Sequence, residues 1–169
     1  MEFPNFGKPH ESQRGYFAAA LYEQMIANKD IWLLTGDLGF GMLDKIMQDF
    51  PERAKNIGAA EQSMLGIAVG LALENNKIPF CYTISSFYLR AAETIGLYLH
   101  GEQIPVKLVG SGRDGDYHID GPSHHGGLAQ AFLAPLNVLK FYPETKEDVV
   151  DYLETIIKNE KPCFLSLRR

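Results

Sequence analysis

The sequence predicts a single-domain, three-layer α/β/α protein with a mainly parallel sheet. Two observations support this prediction. Short apolar runs with strand character alternate with helical patterns along the chain, as in parallel strands joined by crossover helices. In addition, the 169 residues are 46% hydrophobic, which is enough for one substantial core. No repeat, linker or low-complexity stretch indicates a second domain.

The predicted elements follow from these patterns in order. Helices are expected over residues 12–27, 60–74, 87–100 and 146–158, and strands over residues 31–34, 79–83, 106–109, 138–141 and 163–167. The last helix has the clearest pattern, because five aliphatic residues between Val149 and Ile157 share one face. Glu147 and Asp148 favour its N-terminus.

Charge and composition exclude several classes of partner. The net charge is −5, the pI is about 5.5, and no cluster of Lys and Arg indicates nucleic-acid binding. The chain has no run of eighteen apolar residues and no apolar signal core near Met1, so we expect a cytoplasmic protein that does not interact with membranes. Cys81 and Cys163 lie in predicted strands and are expected to be buried thiols.

Three polar loops follow predicted strands, at residues 35–41, 85–86 and 110–127. The carboxyl ends of parallel strands meet at one edge of a sheet, where ligands of α/β proteins bind. The third loop is longer than an ordinary connection, which is typical of a functional loop. We therefore expect one binding site at this edge.

Glu61 is the first candidate for chemistry. A Gly-Ala-Ala turn precedes it and an apolar helix follows it. The helix dipole would favour the charged carboxylate, whereas burial would favour the neutral acid, and such a competition can tune a proton donor. An acidic residue in the first turn of a helix also needs no catalytic role, so position alone leaves both readings open.

Loop 110–127 concentrates groups that exchange protons or bind hydroxyls: Arg113, Asp114, Asp116, His118, Asp120, His124 and His125. A transition-metal site is not favoured, because the His and Asp residues of the loop have no recognised ligand spacing and no cysteine accompanies them. A sugar-binding loop fits better, since Asp accepts from hydroxyls and His exchanges protons with substrate oxygens. A solvated polar loop is the remaining alternative.

Read together, these segments resemble the pyrimidine-binding domain shared by transketolases and deoxyxylulose phosphate synthases. The segments are Arg14, Gly36-Asp37-Leu38, Asn56-Ile-Gly-Ala-Ala-Glu61, Ser86-Phe87-Tyr88-Leu89-Arg90 and Asp120-Gly-Pro-Ser-His124-His125. The resemblance implies the thiamine-diphosphate-binding fold. It implies an N-terminal extension over residues 1–11 and the pyrimidine-binding domain over residues 12–169.

The resemblance also implies roles for residues around the cofactor. Glu61 would hydrogen-bond the ring nitrogen of the aminopyrimidine of thiamine diphosphate, and Phe87 would stack on that ring. Arg90 would line the same pocket, and Asp37 matches a family position near the cofactor.

A second set of residues would serve the substrate. Asp120 would face a substrate hydroxyl, and His124 would lie near the substrate oxygens, with His125 beside it. Glu61, Asp120 and His124 are thus the expected catalytic residues. Arg14 and Arg169 match family arginines that bind a sugar phosphate.

Two departures from the family pattern predict that this chain works with a second protein subunit. The chain lacks the Gly-Asp-Gly segment and the Asn ligand with which the companion domain holds Mg²⁺ (or Ca²⁺) and the diphosphate, so we expect no metal site here. It also stops at Arg169, where a transketolase continues into a third domain. We expect a split enzyme with a separate diphosphate-binding subunit, in a heterotetramer with two copies of each chain.

The sequence leaves three functions open. The first is transfer of a two-carbon ketol unit between sugar-like substrates, phosphorylated or not. The second is decarboxylation of a 2-oxo acid in a carboligase or dehydrogenase of the deoxyxylulose phosphate synthase kind. The third is a scaffold subunit without turnover.

Overall fold

A six-stranded sheet forms the centre of the molecule, and all of its strand pairings are parallel. The computed structural model describes residues 2–74 and 77–169. The strands are β1 Ile31–Thr35, β2 Ala54–Asn56, β3 Ile78–Ile84, β4 Lys107–Ser111, β5 Leu139–Phe141 and β6 Cys163–Leu167. Their order in the sheet is β2-β1-β3-β4-β6-β5. The predicted fold class is confirmed.

Helices flank the sheet on both faces. They are α1 Gln13–Ala27, α2 Asp44–Asp49, α3 Glu61–Leu73, α4 Ala92–Thr94, α5 Gly126–Leu133 and α6 Lys146–Lys158. Ser12 caps α1, because its hydroxyl accepts a hydrogen bond from the backbone N–H of Gly15 at 3.1 Å. Thr145 and Asp148 form a capping box at the start of α6.

Two hydrophobic clusters, one on each face of the sheet, hold the layers together. The first joins α1 and α6 to the strands and includes the stacked rings of Phe17 and Tyr82, whose centroids lie 5.8 Å apart. The second joins α3 to the segment that follows β3 and includes the fully buried Leu65. In the described part of the chain, no helix is long and apolar enough to cross a membrane.

The prediction of one regular helix over residues 87–100 is wrong. A 3₁₀ helix, Ser85–Ala91, follows β3 directly, and α4 leads into a π-helical turn, Ile95–Gly101. Hydrogen bonds of Tyr88 give a physical reason for the tight 3₁₀ turn directly after β3. The Tyr88 hydroxyl donates to the carbonyl oxygen of Cys81 and accepts from the backbone N–H of Val109, which ties the turn to β3 and β4.

Several short elements escaped prediction, including α2, β2, α5 and the 3₁₀ helices His118–Asp120 and Pro122–His124. Each is too short to show a clear hydrophobic period, and α5 begins within the glycine pair that suggested a loop. Residues 2–11 pack along α1, where the buried Phe3 and Tyr16 rings meet in an edge-to-face arrangement. Cys81 and Cys163 are free and buried as expected, and burial raises the pKa of both thiols.

Candidate active site

Glu61 is a buried carboxylate at the first position of α3, with only 2% of its surface exposed. The chain reaches it by a tight turn at Gly58, whose φ of 82° is in the left-handed region that favours glycine. Arg90 Nη1 donates to Glu61 Oε1 at 2.9 Å. Within residues 2–74 and 77–169 this is the only side-chain hydrogen bond to Glu61, so the carboxylate retains free acceptor capacity.

Phe87 and His124 extend this group. The guanidinium carbon of Arg90 lies 3.9 Å from the centroid of the Phe87 ring, and the Phe87 ring meets that of His124 edge-on at 5.0 Å. Ser86 Oγ donates to the carbonyl oxygen of Ser123 at 2.7 Å, which ties the turn after β3 to the loop after β4. Four predicted residues from three segments therefore form one continuous cluster, made up of Glu61, Arg90, Phe87 and His124.

A second cluster lies next to His124 and contains the two predicted phosphate-binding arginines. Arg14 Nη1 donates to the hydroxyl of Tyr117 at 3.1 Å, and the guanidinium carbon of Arg169 lies 5.4 Å from the Tyr117 ring centroid. Ser111 Oγ is 3.0 Å from the same hydroxyl. The rings of Tyr117 and His124 are 6.3 Å apart, so the two clusters adjoin.

Tyr82 contributes to the electrostatics beside Arg14. Burial raises the pKa of Tyr82 to about 12, although the charge of Arg14 acts in the opposite direction. The phenol is therefore neutral at ordinary pH and does not offset the charge of Arg14.

In the described part of the chain, the side chains of the remaining predicted residues make no hydrogen bond to these clusters. Asp37 has a φ of 58°, and its Oδ1 accepts from Asn56 Nδ2 at 3.0 Å. Asp120 and His125 are exposed, and their side chains make no hydrogen bond within the described ranges. Among those same residues, no group of three His, Cys, Asp or Glu could hold a metal ion.

Comparison with known families identifies the domain that carries these residues. The family described as transketolase, pyrimidine binding domain, matches residues 12–169. The chain belongs to this family.

Relatives of this pyrimidine-binding domain include two synthases. The 1-deoxy-D-xylulose-5-phosphate synthase 1, chloroplastic, of Cannabis sativa is 32% identical over 158 residues, which cover 91% of this chain and 22% of the synthase. The 1-deoxy-D-xylulose-5-phosphate synthase of Methylacidiphilum infernorum is 30% identical over 174 residues, covering 98% of this chain and 27% of the synthase. The domain thus spans about a quarter of the length of these curated relatives.

Solved structures agree with the fold. A split gene transketolase, described as an inactive β4 tetramer, superposes with a TM-score of 0.83 at 28% identity, covering 95% of this chain and 52% of the other. Transketolase from Leishmania mexicana superposes with a TM-score of 0.82 at 20% identity, covering 96% of this chain and 26% of the other. The second similarity concerns the fold alone.

Sequence reasoning missed Tyr117 in this pyrimidine-binding domain. The residue was inside a loop already singled out, and it is the only Phe, Tyr or Trp between residues 110 and 127. An aromatic residue in a loop rich in Gly and Asp was the available signal. Sequence alone did not indicate that its ring would meet both Arg169 and His124.

Proposed function

We propose that this chain is the pyrimidine-binding subunit of a split thiamine-diphosphate enzyme that transfers a two-carbon ketol unit between sugar-like substrates. The observation that carries the proposal is the cluster of Glu61, Arg90, Phe87 and His124, in a chain of the transketolase pyrimidine-binding family. Similarity to a split gene transketolase supports the division of the enzyme into subunits.

The residues present fit the aminopyrimidine part of the cofactor. That ring needs a hydrogen-bond partner for its ring nitrogen and an apolar surface for its face. Glu61 offers a buried carboxylate with free acceptor capacity, and Phe87 offers a half-buried ring. Arg90 holds both, because its guanidinium hydrogen-bonds one and lies over the other.

Thiamine diphosphate, when bound, supplies the electron sink that makes a bond next to a ketone breakable. The protein then has two tasks. Glu61 would hold a proton at the pyrimidine nitrogen, where burial keeps water from competing for it. His124 lies across the Phe87 ring and would exchange protons with substrate oxygens.

Substrate contacts are proposed for the loop side of the site. Asp120 and His125 are exposed and would reach substrate hydroxyls, and Asp37 would lie near the cofactor. Arg14 and Arg169 would bind a phosphate of the substrate, since guanidinium groups match phosphate geometry.

The partner is proposed to be a diphosphate-binding subunit that holds Mg²⁺ or Ca²⁺, in a heterotetramer with two copies of each chain. The outer face of α3 supports a protein contact beside the site. This face exposes Ile67 and Leu73, at 44% and 65%, together with Gly66 and Gly70. Glu61 begins the same helix, so a partner on this face would adjoin the cluster.

A second function is decarboxylation of a 2-oxo acid with carboligation. The curated relatives favour it, because they are 1-deoxy-D-xylulose-5-phosphate synthases at 32% and 30% identity. Product analysis separates the two functions. A ketose donor should give a two-carbon transfer product if the first is right, whereas pyruvate should release carbon dioxide if the second is right.

Calorimetric titration tests the subunit assignment. Thiamine diphosphate and Mg²⁺ should bind to a mixture of this chain with a diphosphate-binding subunit of the same organism, and should not bind to this chain alone. Absence of binding in the mixture would reject the catalytic assignment and favour a scaffold role. The cytoplasmic location is also a proposal, and cell fractionation tests it.

A further inference from the structure

The carboxyl edge of the sheet carries two pairs of arginines with different electrostatic surroundings. Arg168 Nη2 lies 3.1 Å from Glu144 and 3.5 Å from Asp114, and Arg113 approaches the same two carboxylates at 3.5 and 3.8 Å. Acidic side chains of this chain thus neutralise this pair.

Arg14 and Arg169 form the other pair. Neither guanidinium makes an ion pair with a carboxylate in the part of the chain that the structure describes. The carboxylate of Asp116 accepts a hydrogen bond from the backbone N–H of Arg169 at 2.7 Å, and not from its guanidinium. The guanidinium donors of this pair therefore remain available to an anion.

Tyr117 connects these two cations. Its hydroxyl accepts from Arg14, its ring lies beneath the guanidinium of Arg169, and its ring packs edge-to-face with that of His124. Ser111 Oγ also lies within hydrogen-bond distance of the hydroxyl, at 3.0 Å. One side chain thus contacts both cations and the histidine of the adjoining cluster.

The Tyr117 ring packs directly against Gly112, where a side chain would collide with it. Gly112 has a φ of 83°, and a Cβ there would stand 2.2 Å from Cδ2 of Tyr117. Asp116 fixes the preceding position, because its carboxylate accepts from the backbone N–H groups of Arg113 and Arg169. The ring therefore occupies a place that a side chain at residue 112 would take.

We infer that Tyr117 is a positioning residue that gives the site its preference for phosphorylated substrates. It holds the guanidinium groups of Arg14 and Arg169 around one phenol, where both can donate to a phosphomonoester. The inference rests on the proposed function for the sugar-like part of the substrate. Arg90 binds Glu61 and covers Phe87, so the cofactor cluster does not depend on the Tyr117 hydroxyl.

Tyr117→Phe is the informative variant. It removes the hydroxyl that Arg14 and Ser111 contact, and it keeps the ring that faces Arg169, His124 and Gly112. In the reconstituted enzyme, KM for a phosphorylated aldose should rise about tenfold, corresponding to the loss of one charge-assisted hydrogen bond. The value of kcat, and KM for the unphosphorylated aldose, should stay unchanged.

Arg168→Gln provides the matched control, because its arginine is already paired with Asp114 and Glu144. It should leave both KM values unchanged. Equal rises of KM for both aldoses in Tyr117→Phe would overturn the inference, as would an unchanged KM for the phosphorylated one.

A binding measurement separates this inference from the proposed function. Inorganic phosphate titrated into the ¹⁵N-labelled full chain should shift the backbone amides of Ser111, Tyr117 and Arg169 with a measurable Kd. Tyr117→Phe should raise that Kd several-fold, and Arg168→Gln should not. Absence of turnover with intact phosphate binding would reject only the proposed reaction. Absence of phosphate binding, or an equal Kd in Tyr117→Phe, would reject the role of Tyr117.

Discussion

Glu61 and Lys107 are charged side chains that are almost equally buried, at 2% and 1% exposure, yet their surroundings differ. Lys107 begins β4, and its ammonium donates to the carbonyl oxygens of Asn159 and Lys161 at 2.6 and 2.7 Å. Glu61 begins α3, and one half-exposed arginine is its side-chain partner in the described part of the chain. Burial alone therefore does not distinguish these two residues, whereas their remaining hydrogen-bonding capacity does.

The difference follows from the direction of the strands. Lys107 is at the amino end of β4, where the connection from α6 supplies backbone carbonyl groups. Glu61 lies at the opposite edge of the sheet, where polar loops follow the carboxyl ends of β1, β3 and β4. The two buried charges thus lie at opposite edges of the same sheet, and we propose that the edge with Glu61 binds the ligand.

Replacing Glu61 should give the largest effect on activity. Glu61→Gln keeps the shape and the contact with Arg90, but an amide cannot hold the pyrimidine proton as a carboxylate does. We expect kcat of the reconstituted enzyme to fall by about a thousandfold, as for loss of a general acid–base group. Steady-state kinetics measures this, and melting curves should show an unchanged Tm.

Replacing Lys107 should affect stability instead. Lys107→Met removes the donor for two carbonyl groups, so the free energy of unfolding should fall by about 2 kcal/mol. Urea denaturation measures the loss, and kcat per folded molecule should not change. Lys77→Met is the matched control, because Lys77 pairs with Asp30 near the surface and should cost less than about 1 kcal/mol. A loss of kcat in Lys107→Met would contradict the comparison.

Replacing Arg90 should have a smaller effect on activity than replacing Glu61. Arg90→Met removes the hydrogen bond to the carboxylate and the cation over Phe87. KM for thiamine diphosphate should rise about tenfold, a difference of 1.4 kcal/mol. Arg168→Met should leave this KM unchanged, since its partners lie outside the cluster. An Arg90→Met enzyme with normal cofactor affinity would show that Glu61 needs no such partner.

The smallest effect concerns pH. Burial lowers the pKa of the Lys107 ammonium in the folded chain, whereas an unfolded lysine titrates near about 10.4. At pH values between the lowered pKa of the folded chain and about 10.4, the unfolded state binds more protons than the folded state. The wild type therefore gains stability as pH rises in this range. The stability difference between wild type and Lys107→Met in urea denaturation should therefore widen as pH rises toward about 10.4, the ordinary lysine value. A constant difference would show that burial does not perturb this lysine.

The sequence indicated the position of the candidate site because polar loops follow the strand ends, and the resemblance to a known family supplied the roles of Phe87 and Arg90. Glu61, Phe87, Arg90 and His124 were predicted, and the structure brings them together. Tyr117 was not predicted, because its importance arises from contacts with Arg14 at the start of the chain and Arg169 at its end. Such contacts depend on packing between distant segments, which no local pattern encodes.

The prediction of one regular helix over residues 87–100 failed for a similar reason. The segment after β3 has the composition of an ordinary helix, but Tyr88 ties its first turn to β3 and β4 and makes it a 3₁₀ helix. The long helices α1, α3 and α6 were found to within one residue at each end, because many residues contribute to their patterns. Short elements such as α2 and β2 depend on their tertiary neighbours.

The central claim is that Glu61 acts on the pyrimidine of thiamine diphosphate. The most direct test is the rate of deuterium exchange at the thiazolium carbon, measured by NMR in the complex with the diphosphate-binding subunit. We expect Glu61→Gln to slow this exchange by at least about a hundredfold relative to wild type, with the cofactor still bound. Equal exchange rates in the two proteins would contradict the claim.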